Sequence, residues 1–395
     1  MKRIVSLLLV VFMTFATSSV YGNTPDVEEV STTSANLDIS ARAYVLMESS
    51  TGKIICENNS DERLSPASIT KLMTMYLIFE DLESGKIKLD DIVTTSEYAR
   101  SMTGSKVFLE TGETQTVETM IKCIAVASGN DASVAMAEFL AGTEADFVDR
   151  MNKKASELGL TNTHFVDCCG LSDSDEHYMS AKDIAVLSRE LTTKYPEVFD
   201  YSGIWMENIT HTTKKGSKEF CLSSTNKLLK QYEWATGLKT GSTSKAKYCL
   251  SATASKSGVD MIAVIMAATD YKVRFKDAAK LLEYGFNTCK VYKDVDKYDS
   301  LGVNISSGEK EFVKGVIGDR FSYLSTDGSN IDNVNKKIVY NSKLKAPVNK
   351  GDEIGKVIYY LDDEKIGEEK ILASETVDKA GYIFVLMDTI KKILL

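Results

Sequence analysis

The chain has 395 residues, of which 43% are hydrophobic and 26% charged, with a formal net charge of −9 at pH 7. That length suggests more than one domain, and the apolar content excludes wholesale disorder. The acidic balance makes nucleic acid a poor partner, although a local basic patch can hide inside the sum.

The first 22 residues read as an export signal. Lys2 and Arg3 give a positive start, Ile4 to Ala16 an apolar run, and Val20 and Gly22 the small residues that suit cleavage after Gly22. The run is short for a membrane span. A buried helix is the alternative, but charge, apolar run and small-residue exit come in the order of a signal. Residues 23–40 are rich in Ser and Thr, lack helical or strand period, and read as a linker.

A first domain is expected over 41–291. "RAYVLMESSTGKIICENN" reads as a hairpin around Ser50-Thr51-Gly52-Lys53. Ile69 to Leu82 reads as a helix. "QTVETMIKCIAVASGNDASVAMAEFLAG" reads as two helices with a bend at Ser128-Gly129-Asn130, because a mid-helix glycine costs about 1 kcal/mol. "FVDRMNKKASELGL" is a helix ending near Gly159, and "SAKDIAVLSRELTTKY" another, capped by Ser180. After Trp234, "LKTGST", "AKYCLSATA" and "DMIAVIMAAT" read as strands, the last two joined at Ser255-Lys256-Ser257-Gly258. The helix "RFKDAAKLLEYGF" closes the domain. Strands, helices, strands and a helix in that order predict an antiparallel sheet whose early strands meet the late ones, with a helical insertion between.

Over 292–378 the short runs "SLGVNIS", "EFVKGVI", "KKIVYN", "EIGKVIYYLD" and "EKIGEEKILA", parted by Gly, Asp and Asn, predict a small all-β domain. Residues 379–395 end in "GYIFVLMDTIKKILL". Ile383, Phe384, Met387, Ile390 and Leu394 share one helical side, with Asp388, Lys391 and Lys392 on the other. An amphipathic helix lying in a membrane surface and a helix packed on its own domain both fit this pattern. The seven cysteines, Cys56, Cys123, Cys168, Cys169, Cys221, Cys249 and Cys289, are odd in number and show no C-x-x-C spacing. They read as buried thiols of open oxidation state, and no metal or cofactor site is expected.

The chemistry centres on Ser68 and Lys71. S-x-x-K spacing alone says little, since it recurs at six other serines: Ser50, Ser224, Ser242, Ser244, Ser307 and Ser342. Ser68 differs in opening a long apolar helix, with Lys71 one turn on and on the same face. Serine needs a base, and lysine is one only when burial or a nearby cation, here Lys239, lowers its pKa. A helix cap would explain Ser68 as cheaply, and Ser65 with Pro66 could fill that role instead. Ser128-Gly129-Asn130 and Lys239-Thr240-Gly241 tip the balance: S-x-x-K, an S-x-N triplet and K-T-G together supply the parts of an acyl-transfer site. Ser68 is the candidate nucleophile, Lys71 the base and Ser128 the proton relay. Lys239 and Thr240 would hold a carboxylate, Asn130 a substrate amide, and Gly241 would let a substrate backbone approach the strand. The backbone N–H groups of Ser68 and Ser242 would hold the oxyanion.

On "ARAYVLMESSTGKII", "SPASITKLMT", "VASGNDASVAMAE", "STNKLL", "GLKTGSTSKAKYCLSATA" and "RFKDAAKLLEYGF", the chain resembles the low-molecular-mass penicillin-binding D-alanyl-D-alanine carboxypeptidases from about Ala41 to its end. The resemblance implies an α/β transpeptidase/β-lactamase-like domain, a small all-β domain and a C-terminal amphipathic membrane anchor. It implies a serine carboxypeptidase outside the cytoplasmic membrane that removes the terminal D-alanine from peptidoglycan stem peptides. β-Lactams would acylate it. Arg274 matches a family arginine near the carboxylate pocket, though a salt bridge is the commoner use of a helix arginine. The chain departs from the family at "THFVDCCGL", where Asp167 and Cys168-Cys169 stand in an Asn-x-x-Gly-Leu pattern, and at Lys247, where a glycine is usual.

A β-lactamase is the alternative, but no E-x-x-L-N loop occurs and the β-rich second domain argues against it. A catalytically silent wall-binding protein is a third reading, against which Ser68, Lys71, Ser128 and Lys239 all stand. A Ser-His-Asp triad using His177 and Asp183 lacks a G-x-S-x-G elbow, and "SDSDEH" reads as a solvated loop rather than a metal site.

Overall fold

A computed structural model describes residues 37–382 apart from 215, 299, 327 and 328, together with 384, 386, 387 and 390. The expected export signal and most of the expected linker lie outside these residues. The linker's last residues, 37–40, are tied down: Ser40 and Ala41 donate backbone N–H bonds to Asp277 Oδ2 at 3.0 and 3.1 Å.

β1 (Ala43–Glu48) and β2 (Ile54–Asn58) form the first hairpin. A one-turn 3-10 helix (Ala67–Thr70) runs into α1 (Lys71–Glu83). Then come β3 (Ile92–Thr94), α2 (Glu97–Ser101), β4 (Thr114–Thr116), α3 (Val117–Ala125), α4 (Asn130–Ala141), α5 (Glu144–Glu157), α6 (Ala181–Lys194) and α7 (Val198–Ser202). A second hairpin, β5 (Met206–Thr213) and β6 (Gly216–Ser223), precedes α8 (Leu228–Gln231). β7 (Ala235–Thr243), β8 (Lys247–Lys256), β9 (Val259–Ala268) and α9 (Val273–Thr288) complete this part.

The main sheet is antiparallel in the order β2-β1-β9-β8-β7, so the early hairpin pairs with the late strands through β1 and β9. Both faces of β9 are covered, which explains its apolar run from Met261 to Ala268. Met261, Ala263 and Ile265 pack with Leu281 and Leu282 of α9. Ile262, Val264 and Met266 pack with the helical core that contains α1 and α6. α1 is apolar all round because it runs through that core, with Leu72, Met73, Met75, Leu77 and Ile78 all buried.

Three local readings are corrected. Ser68 sits in the 3-10 turn, one turn before α1, and not in the helix itself. Neither Ser65 nor Ser68 is a cap: Pro66 and Thr70 precede the two helices, and neither offers a side-chain cap bond. The β5–β6 hairpin was not expected. Apart from Ile209 and Leu222 its side chains are polar or partly exposed, so no alternating apolar face marks it.

The second part is β-rich. β10 (Lys290–Lys293) pairs with β13 (Ser322–Ser325). A five-stranded antiparallel sheet follows the order β11 (Gly302–Asn304), β12 (Phe312–Ile317), β16 (Glu364–Ala373), β15 (Glu353–Leu361), β14 (Val334–Tyr340). Val313, Ile354, Val357, Tyr359 and Ile371 make its core. Of the expected C-terminal helix, Phe384, Met387 and Ile390 are described and exposed; Ile383, Asp388, Lys391, Lys392 and Leu394 lie outside the described residues. Among the described residues no helix is long and apolar enough to cross a membrane.

Candidate active site

The 3-10 turn carrying Ser68 is clasped between two glycines. A Cβ on Gly241 would stand 2.6 Å from the Pro66 carbonyl and 3.1 Å from the Ser68 nitrogen. One on Gly170, at φ +77°, would stand 1.8 Å from the Ala67 carbonyl. Both contacts are closer than any side chain allows, so β7 and the 167–172 loop reach the Ser68 turn only as glycine. Gly241 thus serves a contact within the protein that its motif did not suggest.

Ser68 and Lys71 stack because residues three apart eclipse in a 3-10 turn. Lys71 Nζ lies 3.0 Å from Ser68 Oγ, and donates to Asn130 Oδ1 at 2.7 Å and to the Cys169 carbonyl at 2.7 Å. Asn130 Nδ2 donates to the Thr103 carbonyl at 2.7 Å, which fixes Oδ1 toward the lysine. Asn130 Oδ1 and the Cys169 carbonyl can only accept. A neutral Lys71 therefore spends its two hydrogens on them and has its lone pair left for the Ser68 hydroxyl.

Electrostatics favour that neutral form. Lys71 is fully buried, and burial pushes its pKa below the ordinary lysine value, against the opposing pull of Cys169, Cys168, Asp167 and Asp131. Lys239 is pushed well below, by burial first and then by the positive charges of Lys71 and Arg274. Burial is the leading cause at both lysines, and the repulsion between their two ammonium groups is mutual.

Lys239 Nζ donates to Ser128 Oγ at 2.8 Å and to the Thr240 carbonyl at 3.1 Å. Ser128 holds the left-handed conformation, φ +59°, at the bend between α3 and α4, which turns it and Asn130 toward one cluster. Thr240 Oγ1 meets Thr225 Oγ1 at 2.6 Å. Arg274 is buried and its Nη1 donates to the carbonyls of Gly241 and Cys249 at 3.0 and 3.3 Å, with Nε buried and unpartnered among the described residues. It braces β7 through backbone carbonyls. Ser242, next along β7, is exposed. β7 is the last strand of the sheet, so one edge of its backbone faces outward.

Several contributors escaped the sequence reading. Thr225 lies in "STNKLL", quoted above for resemblance only. The Cys169 carbonyl is a backbone group with no signature. Asp167 gathers the N–H groups of Cys169, Gly170 and Ser172, shaping the loop that presents that carbonyl. Burial raises its pKa, but His177 and those N–H groups outweigh it and hold the carboxyl below the usual range. His177 Nδ1 accepts from the Val166 N–H at 3.1 Å, so its Nε2–H donates to Thr70 Oγ1 at 2.8 Å, and Thr70 donates to the Ala67 carbonyl at 2.8 Å. His177 therefore supports the Ser68 turn. Asp183 is engaged elsewhere, accepting from Asn162 and Thr163. In "SDSDEH", Asp175 pairs with Lys245 at 2.7 Å.

The profile of the D-alanyl-D-alanine carboxypeptidase family matches residues 29–270, and that of the penicillin-binding protein 5 C-terminal domain matches residues 286–379. The D-alanyl-D-alanine carboxypeptidase DacF of Bacillus subtilis (strain 168) is 41% identical over 392 residues, 98% of each chain. DacC of Escherichia coli (strain K12), of the same description, is 32% identical over 368 residues, 88% of each chain. The crystal structure of penicillin binding protein 5 from Haemophilus influenzae superimposes with a TM-score of 0.72 at 32% identity, covering 86% of this chain and 98% of that one. With one profile matched over residues 29–270, the other over 286–379, and identity shared over nearly its whole length, the chain belongs to the D-alanyl-D-alanine carboxypeptidase family of serine peptidases.

Proposed function

We propose that the protein removes the terminal D-alanine of peptidoglycan stem peptides through an acyl-enzyme on Ser68. The observation that carries this reading is the Lys71 amine, buried and 3.0 Å from Ser68 Oγ, with its other two contacts restricted to acceptors. Lys71 takes the Ser68 proton as Oγ attacks the penultimate carbonyl. The N–H groups of Ser68 and Ser242 hold the resulting oxyanion; one such donor is typically worth about 3 kcal/mol. As the C–N bond breaks, Ser128 gives its proton to the leaving D-alanine nitrogen and regains one from Lys71, which thereby returns the proton it took from Ser68 and is neutral again for deacylation. Water then hydrolyses the ester and restores Ser68. Lys239, Thr240 and Arg274 place positive charge and a hydroxyl where the terminal carboxylate arrives, and Asn130 orients the peptide amide. A β-lactam presents the same carbonyl and carboxylate and acylates the same serine.

The test is release of free D-alanine from a diacyl-Lys-D-Ala-D-Ala peptide. Wild type releases it and Ser68→Ala does not; no release by wild type sinks the peptidase reading. Fluorescent penicillin labels wild type and not Ser68→Ala. An adduct lasting many minutes separates this reading from a β-lactamase, which would discharge it quickly.

Export and anchoring belong to the same reading. The order of residues 1–22 supports a cleaved signal, and the exposed Phe384, Met387 and Ile390 support an in-plane helix at the outer face of the membrane. The full chain is expected to sediment with anionic vesicles and a chain ending at 378 to stay in solution. Equal partition of both would remove the anchor.

A further inference from the structure

Two adjacent thiols, Cys168 and Cys169, sit in the loop beside the catalytic lysine, and neither sulfur takes part in the chemistry above. Both are free and buried in the core that holds α1. The Cys168 thiol hydrogen-bonds with that of Cys169, so the two sulfurs are neighbours. The backbone around them is committed to the site. The Cys168 N–H donates to Glu144 Oε1 at 3.1 Å, and the Cys168 carbonyl accepts from Thr74 Oγ1 of α1 at 2.5 Å. The Cys169 N–H donates to Asp167 Oδ1 at 2.8 Å, and the Cys169 carbonyl accepts from Lys71 Nζ at 2.7 Å.

A bond between these sulfurs closes a small ring made of both side chains and the peptide between them. That ring contains ψ of Cys168 and φ of Cys169, the torsions that aim the acceptors of Thr74 and Lys71. Consecutive Cα atoms stand about 3.8 Å apart across a trans peptide. An ordinary disulfide joins Cα atoms roughly 4.4–6.8 Å apart. Closing the ring therefore turns those torsions, and the strained bridge is more readily reduced than an ordinary one. A displaced Cys169 carbonyl deprives Lys71 of one of the two acceptors that leave its lone pair for Ser68.

We propose that Cys168 and Cys169 form a reversible disulfide that slows acylation of Ser68 by displacing the Cys169 carbonyl from Lys71. The inference rests on Lys71 as the base in the reading above. The oxidant is a low-molecular-mass disulfide. One cysteine thiolate attacks it, forming a mixed disulfide and expelling one small thiolate. The other cysteine thiolate attacks the protein sulfur of that mixed disulfide, closing the bridge and expelling the second. Two protein thiols are oxidised, and the small disulfide is reduced to two thiols that carry off the two protons. Excess small thiol reverses both steps. Both sulfurs are buried, and burial pushes the Cys168 thiol well above its ordinary value. Exchange therefore waits on opening of the 167–172 loop and is slow, on the order of minutes to hours.

In the experiment the protein is held overnight in mixtures of reduced and oxidised glutathione. Free thiols are then capped, and the peptide containing 168–169 is weighed. As the bridge fills, that peptide is expected to lose two hydrogens and take up no cap. Labelling by fluorescent penicillin should slow by at least about tenfold, the scale of a small misplacement in a site. Dithiothreitol should restore it. Cys168→Ser keeps both carbonyls and cannot bridge, and Cys168→Ala does the same if serine disturbs the core. Each variant is compared with itself, oxidised against reduced, so its basal rate need not match wild type. A loss of labelling in these variants as large as in wild type overturns the switch. It would assign the effect to another thiol such as Cys249, whose Sγ lies 3.9 Å from the Ser65 carbonyl. A 168–169 peptide that stays reduced in every mixture, or one that bridges with labelling unchanged, also overturns it. Release of D-alanine by the reduced protein is measured in parallel. A bridge that slows labelling of a protein releasing no D-alanine would keep the switch and sink the peptidase reading.

Discussion

Lys71 must give up its proton to serve Ser68, and its surroundings ask the same of it. Acylation of Ser68 should therefore rise with pH and level off once the Lys71 amine is neutral, with a midpoint below the ordinary lysine value of 10.5. Stopped-flow acylation by a chromogenic β-lactam across pH would read this limb, and a midpoint at the ordinary value would remove Lys71 as the base. The same displacement makes stability depend on pH. Lys71 and Lys239 both bind protons less readily folded than unfolded, so the folded state gains as pH rises from the folded pKa toward 10.5. Urea unfolding at pH 7 and 9.5 should show the gain, and Lys239→Ala should reduce it. The residue types at this site could be named from three short motifs. The contacts of Lys71 could not: Asn130 was read from its motif as holding a substrate amide, not as an acceptor for the lysine, and the Cys169 carbonyl is a backbone oxygen.

At the scale of elements, the 3-10 turn decides whether the motif works. It is held by β7 through Gly241, by the loop through Gly170, and from beneath by the Thr70–His177 pair. Gly170→Ala puts a methyl 1.8 Å from the Ala67 carbonyl at a positive φ, so the turn or the loop must move. The expected result is a fall in penicillin acylation of more than about a hundredfold, as misplacement of about 1 Å produces, with a lowered Tm. A variant that acylates normally would show that the turn tolerates displacement. His177→Ala leaves the Val166 N–H and Thr70 without their partner, at a cost of about 1–3 kcal/mol, readable by denaturant titration. The helices with long apolar or capped patterns and the three late strands were legible in order, since α1, α6 and β9 bury complete faces. The 3-10 turn, the β5–β6 hairpin and β10 with β13 were not: the first is too short to have a period, and the others bury little.

Across the whole molecule, one buried carboxylate ties the β-rich part together. Asp294 follows β10 and accepts from Tyr298, Tyr359 and Lys336, the last two on β15 and β14. Burial raises its pKa, but Lys336 and the two tyrosine hydroxyls outweigh it and hold the carboxyl down at about 2. A carboxyl lowered on folding stabilises the fold above its unfolded value of 3.8, and that contribution is lost as pH falls toward 2. Asp294→Asn should destabilise the β-rich part at neutral pH and flatten its acid sensitivity between those values. Hydrogen exchange in β14 and β15, followed from pH 6 to pH 2.5, reads both effects; an unchanged acid profile would assign the sensitivity to other groups.

The open flank of β7 also bears on how the protein behaves in a crowd. An outermost strand is a template on which a second copy can add its own strand, the first step toward aggregates. The clearest guard against that in β7 is Lys239, a charge set inside the strand and facing inward, where an invading chain would have to seal it from water. The lysine that would hold substrate would then also disfavour strand addition by a second copy. Lys239→Met should forfeit this protection as well as activity, and static light scattering on concentrated, penicillin-free protein would reveal it as growing particle mass.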